Sequence, residues 1–299
     1  MTVFWVCLEL NMLRFLPLIS LEGGLAIENS IKYFLIQRIA SIVFLSFTLL
    51  NLFRDSPLVK TIILLSIILK LGVAPLHGWF ISLIGESTAR VILYLSTVQK
   101  IIPLIVLRNL EVRDFMLTLL AILTISIVWT GGITLVRLNS ILGLSSVSNL
   151  LWFLTSAQLR VSVILTFFFL YRIILIGVLR TVIDSLGIRA VTQISSMTRN
   201  SKLVFRFFFM SLGGLPPFLG FLAKVIVLKL LLRGFSTLFL LILVLRALII
   251  LLYYTMFSIL RLTLTFKLKR LDSANPTWAR KKVLFFTLLR FNALVLIKI

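Results

Sequence analysis

The sequence predicts an all-α, polytopic membrane protein with about ten transmembrane helices. Of its 299 residues, 60% are apolar, and the mean hydropathy is +1.15. At least nine apolar runs, most long enough to cross about 30 Å of hydrocarbon, are separated by short polar breaks. We therefore expect a single transmembrane domain over residues 1–299 whose helices are solvated by lipid.

The charge of the chain agrees with this fold class. Its 31 lysines and arginines and 9 acidic residues give a net charge of +22. In a soluble protein that excess would indicate nucleic-acid binding. Here most basic residues flank or interrupt apolar runs, so we predict anionic phospholipid and no nucleic acid as a partner.

The sequence offers no ligands for a redox centre. Cys7 is the only cysteine, which excludes disulfide frameworks, thiolate metal sites and iron–sulfur ligation within this chain. No Gly-rich nucleotide loop or haem-ligand pair is found either. We predict no cofactor and no metal on the chain itself.

Turn-forming residues divide the apolar runs into helices. Pro57 follows Asp55 and Ser56 at the start of one helix, and Asn275-Pro276 lies in another break. The predicted helices cover residues 1–20, 30–52, 57–84, 88–108, 113–131, 138–157, 161–181, 203–232, 236–265 and 283–299.

Lysine and arginine are distributed unequally over the two sides of the membrane. The breaks after odd-numbered helices hold more than twice as many basic residues as those after even-numbered helices. Since positive loops stay on the cytoplasmic or matrix side, that side is predicted to hold the 266–282 segment, and both termini lie opposite.

Two helices are predicted to be broken, one around Pro75 and one around Pro216/Pro217. Proline removes the amide partner of the carbonyl four residues earlier, and such carbonyls persist in a membrane only where protein or water satisfies them. Paired breaks of this kind indicate inverted repeats with a site near the midplane. We assign residues 1–108 to a first half-repeat, truncated at its N-terminus, and residues 113–265 to a second, followed by the helix 283–299.

Four charged residues stand deep in apolar runs: Glu9, Lys70, Lys100 and Lys224. Each charge at the bilayer centre costs about 2.5–3.5 kcal/mol, so their joint retention indicates a function. They predict a buried proton or ion path, and the alternative is a set of static ion pairs.

Several segments resemble one family. They are residues 8–13 (LELNML), 31–37 (IKYFLIQ), 70–79 (KLGVAPLHGW), Gln99-Lys100 with Pro103, and 211–224 (SLGGLPPFLGFLAK). These motifs, in this order, are similar to those of the mitochondrial NADH dehydrogenase subunit 2 family, antiporter-like subunits of respiratory complex I.

The resemblance implies a function for the buried charges. Members of the family couple quinone reduction elsewhere in the assembly to proton translocation. By resemblance, Glu9 is the partner of Lys70, Lys100 is the connecting lysine, and Lys224 is the terminal lysine of the second broken helix. Burial disfavours the charged forms of these groups and a neighbouring opposite charge favours them, so moving one charge changes the next site.

The resemblance also implies an assembly. The chain is then a subunit of the proton-translocating NADH:ubiquinone reductase, in contact with other membrane-arm subunits. Ubiquinone, FMN and iron–sulfur clusters are expected in those other subunits. The location implied is the mitochondrial inner membrane, with both termini facing the intermembrane space.

The sequence departs from the family pattern at a few positions. Asn139 and Ser140 replace a usual arginine–lysine pair, for which Arg137 is a candidate substitute. Asn149 replaces a frequent histidine and does not titrate, so Ser148 and Asn149 are expected to act only as hydrogen-bonding relays. Ala223 stands where a proline is usual.

Other interpretations remain open at this point. One is a structural membrane-arm subunit with impaired pumping, and another is a cation/proton antiporter subunit. His77 is either a proton relay or a structural group in the first break. Arginines in or near span centres are expected to contact neighbouring subunits or lipid headgroups, namely Arg38, Arg172, Arg206 and Arg246.

Overall fold

The computed structural model describes residues 2–256, apart from 22–23, 54–55, 111, 113, 135–136, 184–198, 217 and 233. This part of the chain forms twelve helices. They are α1 (Thr2–Ser20), α2 (Gly24–Phe53), α3 (Pro57–Leu71), α4 (Gly78–Glu86), α5 (Ala89–Ser96), α6 (Val98–Arg108), α7 (Asp114–Thr134), α8 (Leu138–Leu159), α9 (Val161–Ile183), α10 (Arg199–Gly213), α11 (Leu219–Leu231) and α12 (Thr237–Met256).

The all-α membrane fold is confirmed. Seven segments of the described residues are long and apolar enough to cross a membrane, with α5 and α6 together forming one of them. The pairs α3–α4 and α10–α11 correspond to the two predicted broken helices. The predicted helix 283–299 and the basic segment 266–282 lie outside the described residues.

The first break lies between α3 and α4, as the proline and glycine residues predict. Helix α3 begins after the Ser56 cap, with Pro57 at its first position, and ends at Gly72, whose φ of 68° is left-handed. Protein side chains satisfy the last carbonyls of α3. Trp79 Nε1 donates to the Leu69 carbonyl at 3.2 Å, and Gln37 Nε2 donates to the Lys70 carbonyl at 3.1 Å.

The second break separates α10 from α11. Gly214 has a φ of 83°, a conformation that favours glycine, and the helix ends just before it. The chain re-enters a helix at Leu219, so the predicted break around Pro216 is confirmed, while Pro217 lies outside the described residues.

The predicted helix 88–108 is not continuous. It divides at Thr97, whose φ of −120° and ψ of −80° are not helical. The hydroxyl of Ser96 donates to the Ile92 carbonyl and that of Thr97 to the Leu93 carbonyl. Serine and threonine hydroxyls that donate to carbonyls of the preceding turn bend helices. The pattern of apolar residues, from which one continuous helix was predicted, does not show this effect. The interruption falls one turn before Lys100.

Helix α8 forms the centre of the molecule. Every residue in its membrane-spanning window is buried by protein, and it packs against α4, α6, α7, α9 and α11. Polar side chains on α8 therefore meet other helices and not lipid, which is the arrangement required for polar groups at membrane depth.

Candidate functional site

All three lysines singled out from the sequence are buried. The exposed fraction is 7% for Lys70, 1% for Lys100 and 6% for Lys224. Lys70 lies in the last turn of α3, Lys100 in the first turn of α6, and Lys224 on α11 after the second break. All three side chains are enclosed by protein, whereas an anchoring lysine extends its ammonium group to the headgroups.

Lys70 and Lys100 line one internal cavity. It has about 20 Å³ of space for the centres of water molecules, and Asn11, Tyr33 and Gln99 contribute further polar groups to its wall. A cavity of about 10–15 Å³ with two or more polar partners is enough for one water. The two lysines, which are thirty residues apart in the sequence, are therefore brought to a shared, hydratable space.

A hydrogen-bonded network surrounds this cavity. Asn11 Nδ2 donates to Gln99 Oε1 at 2.9 Å, and Tyr33 Oη donates to the same oxygen at 3.2 Å. Gln99 Nε2 in turn donates to the Asn11 carbonyl at 3.2 Å. Because these side chains hold one another, the polar wall has a defined geometry.

Lys100 extends from the cavity towards α8. Its Nζ donates to Ser146 Oγ and lies 3.5 Å from the Ser146 carbonyl oxygen. The Phe80 ring lies on another side, with its centroid 5.0 Å from Nζ. Lys100 thus connects the first half of the molecule to the central helix.

Lys224 binds a backbone carbonyl in the second break. Its Nζ donates to the Gly213 carbonyl at 2.7 Å, one of the carbonyls that the sequence predicts to lack an amide partner. The Trp152 ring of α8 lies 5.9 Å from Nζ. Ser146 and Trp152 are six residues apart, so contacts to Lys100 and Lys224 are separated by about 9 Å along α8.

The expected ion pair between Glu9 and Lys70 is absent. Glu9 Oε2 accepts a hydrogen bond from Arg38 Nη1 at 2.8 Å, while Glu9 Oε1 is buried and has no hydrogen-bond partner among the described residues. Glu9 still lies within electrostatic reach of Lys70. Arginine offers several donors in a planar fork, so it competes well for a carboxylate against a lysine on a third helix.

Arg246 is a buried cation whose place the sequence interpretation missed. We expected contacts to neighbouring subunits or lipid, but its side chain is fully enclosed. Its Nε donates to Thr124 Oγ1 at 2.8 Å, and its Nη2 donates to the Ser148 carbonyl. It also lies close enough to Lys224 for the two charges to repel. Its position at the middle of the apolar run that forms α12 could have indicated that it is buried.

Two of the remaining sequence candidates lie outside this buried row. His77 Nδ1 is 2.9 Å from the Pro75 carbonyl oxygen, within the first break. Arg137 stands at the start of α8 and pairs with Glu86 at 3.3 Å, with most of its side chain exposed. Arg137 therefore contacts the end of α4. It does not take the place of the charge that the family pattern has at Ser140.

Ser148 and Asn149 lie on the buried helix. Ser148 Oγ donates to the Ser145 carbonyl at 2.7 Å, and Asn149 is 5% exposed. Both are therefore near the segment of α8 that separates Lys100 from Lys224. In the part of the chain that the structure describes, no cluster of three His, Cys, Asp or Glu residues could hold a metal ion.

Comparisons with known proteins identify the family. A family model described as "NADH:quinone oxidoreductase/Mrp antiporter, TM" matches residues 53–250. NADH-ubiquinone oxidoreductase chain 2 of Artemia franciscana is 32% identical over 226 residues, covering 74% of this chain and 70% of the relative. The protein of the same name from Lumbricus terrestris is 28% identical over 294 residues, covering 94% and 86%.

Solved structures share the fold. A chain of respiratory complex I from Thermus thermophilus with bound aureothin superposes with a TM-score of 0.71 at 20% identity, covering 95% of this chain and 70% of that one. A chain of the Mrp complex from Dietzia sp. gives a TM-score of 0.65 at 18% identity, covering 78% and 50%. The chain therefore belongs to the NADH:quinone oxidoreductase/Mrp antiporter family, and within it to the group formed by NADH-ubiquinone oxidoreductase chain 2.

Proposed function

We propose that this chain translocates protons as a membrane-arm subunit of respiratory complex I, along a row formed by Glu9, Lys70, Lys100 and Lys224. The family supports the activity, and the buried positions of the four side chains support the row. Each is a titratable group held away from bulk water, so it can take up and release a proton without a leak through open solvent.

The observation that carries this proposal is the cavity shared by Lys70 and Lys100. A lysine transfers its proton only to a group within hydrogen-bond reach or across a bridging water. The cavity has room for such a water, and the fixed amides of Asn11 and Gln99 orient it.

The next step, from Lys100 to Lys224, follows α8. Ser146 accepts a hydrogen bond from Lys100, and Ser148 and Asn149 supply relay groups that orient water without titrating. The fixed positive charge of Arg246 lies next to this segment, where its Nη2 donates to the Ser148 carbonyl. In this proposal Lys224, beside the second break, is the group that exchanges its proton with one side of the membrane.

Glu9 provides the control at the other end of the row. The Glu9 carboxylate is paired with Arg38, and a shift of that carboxylate towards Lys70 would stabilise the protonated form of that lysine. Arg38 and Lys70 thus compete for one carboxylate. How strongly Lys70 holds its proton depends on which of the two cations is paired with Glu9.

The test is the ratio of protons moved to electrons transferred, measured on the purified assembly in sealed vesicles. Lys100→Gln should lower this ratio while NADH oxidation continues. Lys229→Gln is the matched control, since Lys229 is an exposed lysine at the end of α11. An unchanged ratio in Lys100→Gln would favour the structural-subunit alternative, which Ser140 and Asn149 keep open because neither titrates.

In this proposal other subunits of the assembly carry out the redox chemistry. NADH oxidation and ubiquinone reduction use FMN and iron–sulfur clusters in other subunits, and this chain receives the energy through contacts with its membrane-arm neighbours. A cation/proton antiporter subunit is the less favoured alternative, since the similar relatives are named NADH-ubiquinone oxidoreductase chain 2.

The finer topology is also a proposal. Residues 1–108 and 113–265 form two half-repeats, and the protein is a multi-pass component of the mitochondrial inner membrane with both termini in the intermembrane space. The charge distribution of the loops supports this orientation. Protease added to mitoplasts should remove the termini and spare the bonds after Lys281 and Lys282. Cleavage after Lys281 or Lys282 by the added protease would show that the orientation is the opposite one.

A further inference from the structure

Arg172 stands at the middle of α9 on an exposed face. Helix α9 is bounded by Arg160 just before its first residue and by Arg180 in its last turn. Arg172 is twelve residues from the first and eight from the second, or about 18 and 12 Å along the helix. Its exposed neighbours on this face are Leu165, Phe169 and Ile173.

A charge at this depth requires a partner. Arginine remains protonated at any relevant pH, and at the centre of a membrane helix it costs at least about 2.5–3.5 kcal/mol. Arg160 and Arg180 are about 30 Å apart along the helix, which matches the thickness of the hydrocarbon core. Arg172 is therefore too deep to reach either headgroup level by extending its side chain. No hydrogen bond or ion pair to Arg172 is formed by the residues that the structure describes.

The sequence predicts no unpaired acidic residue of this chain at this level. Of its nine acidic residues, Glu9 alone is predicted in the interior of a span. It is buried and bound to Arg38, so a second copy of this chain could not supply it either. The other eight lie between predicted helices or in a first helical turn: Glu22, Glu28, Asp55, Glu86, Glu111, Asp114, Asp184 and Asp272.

We propose that the α9 face formed by Leu165, Phe169, Arg172 and Ile173, the Arg172 surface, docks against a membrane-spanning helix of a neighbouring subunit that carries an aspartate or glutamate at the same depth. The apolar side chains bury the surrounding area, and the ion pair fixes the depth and rotation of the partner helix. Charge complementarity selects this occupant over an apolar helix, which would leave the guanidinium unpaired. The inference rests on assembly with other membrane subunits, as proposed above, and not on the proton-transfer row.

Variants of Arg172 test the surface by assembly and not by pumping. Arg172→Gln should reduce the fraction of the chain that co-migrates with its neighbours in mild detergent by about tenfold or more, because it leaves a carboxylate unpaired in the membrane. Arg172→Lys, which keeps the charge, should retain most of the assembly. Arg180→Gln, at the end of the same helix, should behave as the unaltered chain does. Protons moved per electron in the complexes that do form should be unchanged.

The coordinates of the purified, unaltered assembly decide the matter even if Arg172→Gln fails to fold. We expect a carboxylate oxygen from another subunit within about 4 Å of the Arg172 guanidinium. A lipid phosphate, acyl chains or residues 257–299 of this chain at that position would overturn the proposal. So would an Arg172→Gln variant that assembles normally.

Discussion

The carboxylate of Glu9 on α1 accepts a hydrogen bond from the guanidinium of Arg38 on α2 at 2.8 Å. The second carboxylate oxygen of Glu9 is buried and has no partner among the described residues. A carboxylate held on one side only is poised to exchange partners, and Lys70 is the other cation within electrostatic reach. In the function proposed above, the pair is one state of a switch in which a fixed and a titratable cation share one acid.

Arg38→Gln tests the switch. Removing the guanidinium leaves Glu9 unpaired, which should destabilise the fold by about 1–3 kcal/mol, towards the lower end because Arg38 is half-exposed. Protons moved per electron should fall as well. Arg38→Gln combined with Glu9→Gln should cost less stability than the sum of the single changes, measured by thermal unfolding in detergent. Strictly additive costs would show that the two residues are not coupled.

Ser146→Ala tests the contact between Lys100 and α8. The variant removes the hydroxyl that accepts from Lys100 Nζ and leaves only the carbonyl at 3.5 Å. We expect a lower proton-to-electron ratio and a loss of about 1 kcal/mol of stability. Ser156→Ala is the control, because Ser156 Oγ donates to the Phe153 carbonyl of its own helix. Equal effects of the two changes would contradict a special role for Ser146.

Gly214→Ala tests the geometry of the second break. A Cβ at Gly214 would lie 2.7 Å from Lys224 Nζ, and its φ of +83° is unfavourable for alanine. The left-handed backbone alone costs about 1–2 kcal/mol, and the displaced lysine should lose the Gly213 carbonyl. Gly234→Ala has no atom within 4 Å of the added Cβ and serves as the control. Retained proton yield in Gly214→Ala would argue against the position assigned to Lys224.

Lys224→Gln separates the structural from the functional role of this lysine. The glutamine amide can still donate to the Gly213 carbonyl, so the complex should assemble and oxidise NADH. It does not titrate, so the proton yield should fall. If Lys224→Gln fails to assemble, the ammonium charge itself is required for the fold.

Arg246→Met should lower the proton yield without lowering the stability of the fold. The guanidinium is fully buried and has no carboxylate partner among the described residues. The Thr124 hydroxyl keeps a second bond, to the Ala121 carbonyl at 2.8 Å. An apolar side chain of similar volume should therefore leave the unfolding temperature unchanged or raise it, with a gain of about 1–4 kcal/mol. We expect the proton yield to fall, and a strongly destabilised variant would contradict this account.

Local chemistry made parts of the molecule predictable. Gly72 and Pro75 fix the first break through their own backbones, so the sequence pattern suffices to locate it. The burial of Lys70, Lys100 and Lys224 follows from depth within an apolar run, which is also readable along the chain. These features require no knowledge of which helices touch.

Tertiary pairing was not predictable in the same way. The partner of Glu9 is chosen by how α1 and α2 pack, and family resemblance pointed to Lys70 while the geometry selects Arg38. Arg246 was assigned to the surface because the sequence does not reveal that Thr124 and Ser148 surround it. The division at Thr97 depends on hydroxyl hydrogen bonds that compete with the helix, which apolar periodicity does not report.

The complete enclosure of α8 bears on how the protein is made. Among the candidate spans it has the lowest hydropathy, 1.3, because serines and asparagines take positions that lipid-facing helices give to leucine. In chain order α8 precedes α9 and α11, two of the helices that cover it. Its polar side chains therefore depend on α4, α6 and α7 until the C-terminal helices arrive. The core around α8 is thus completed only by helices that follow it in the chain.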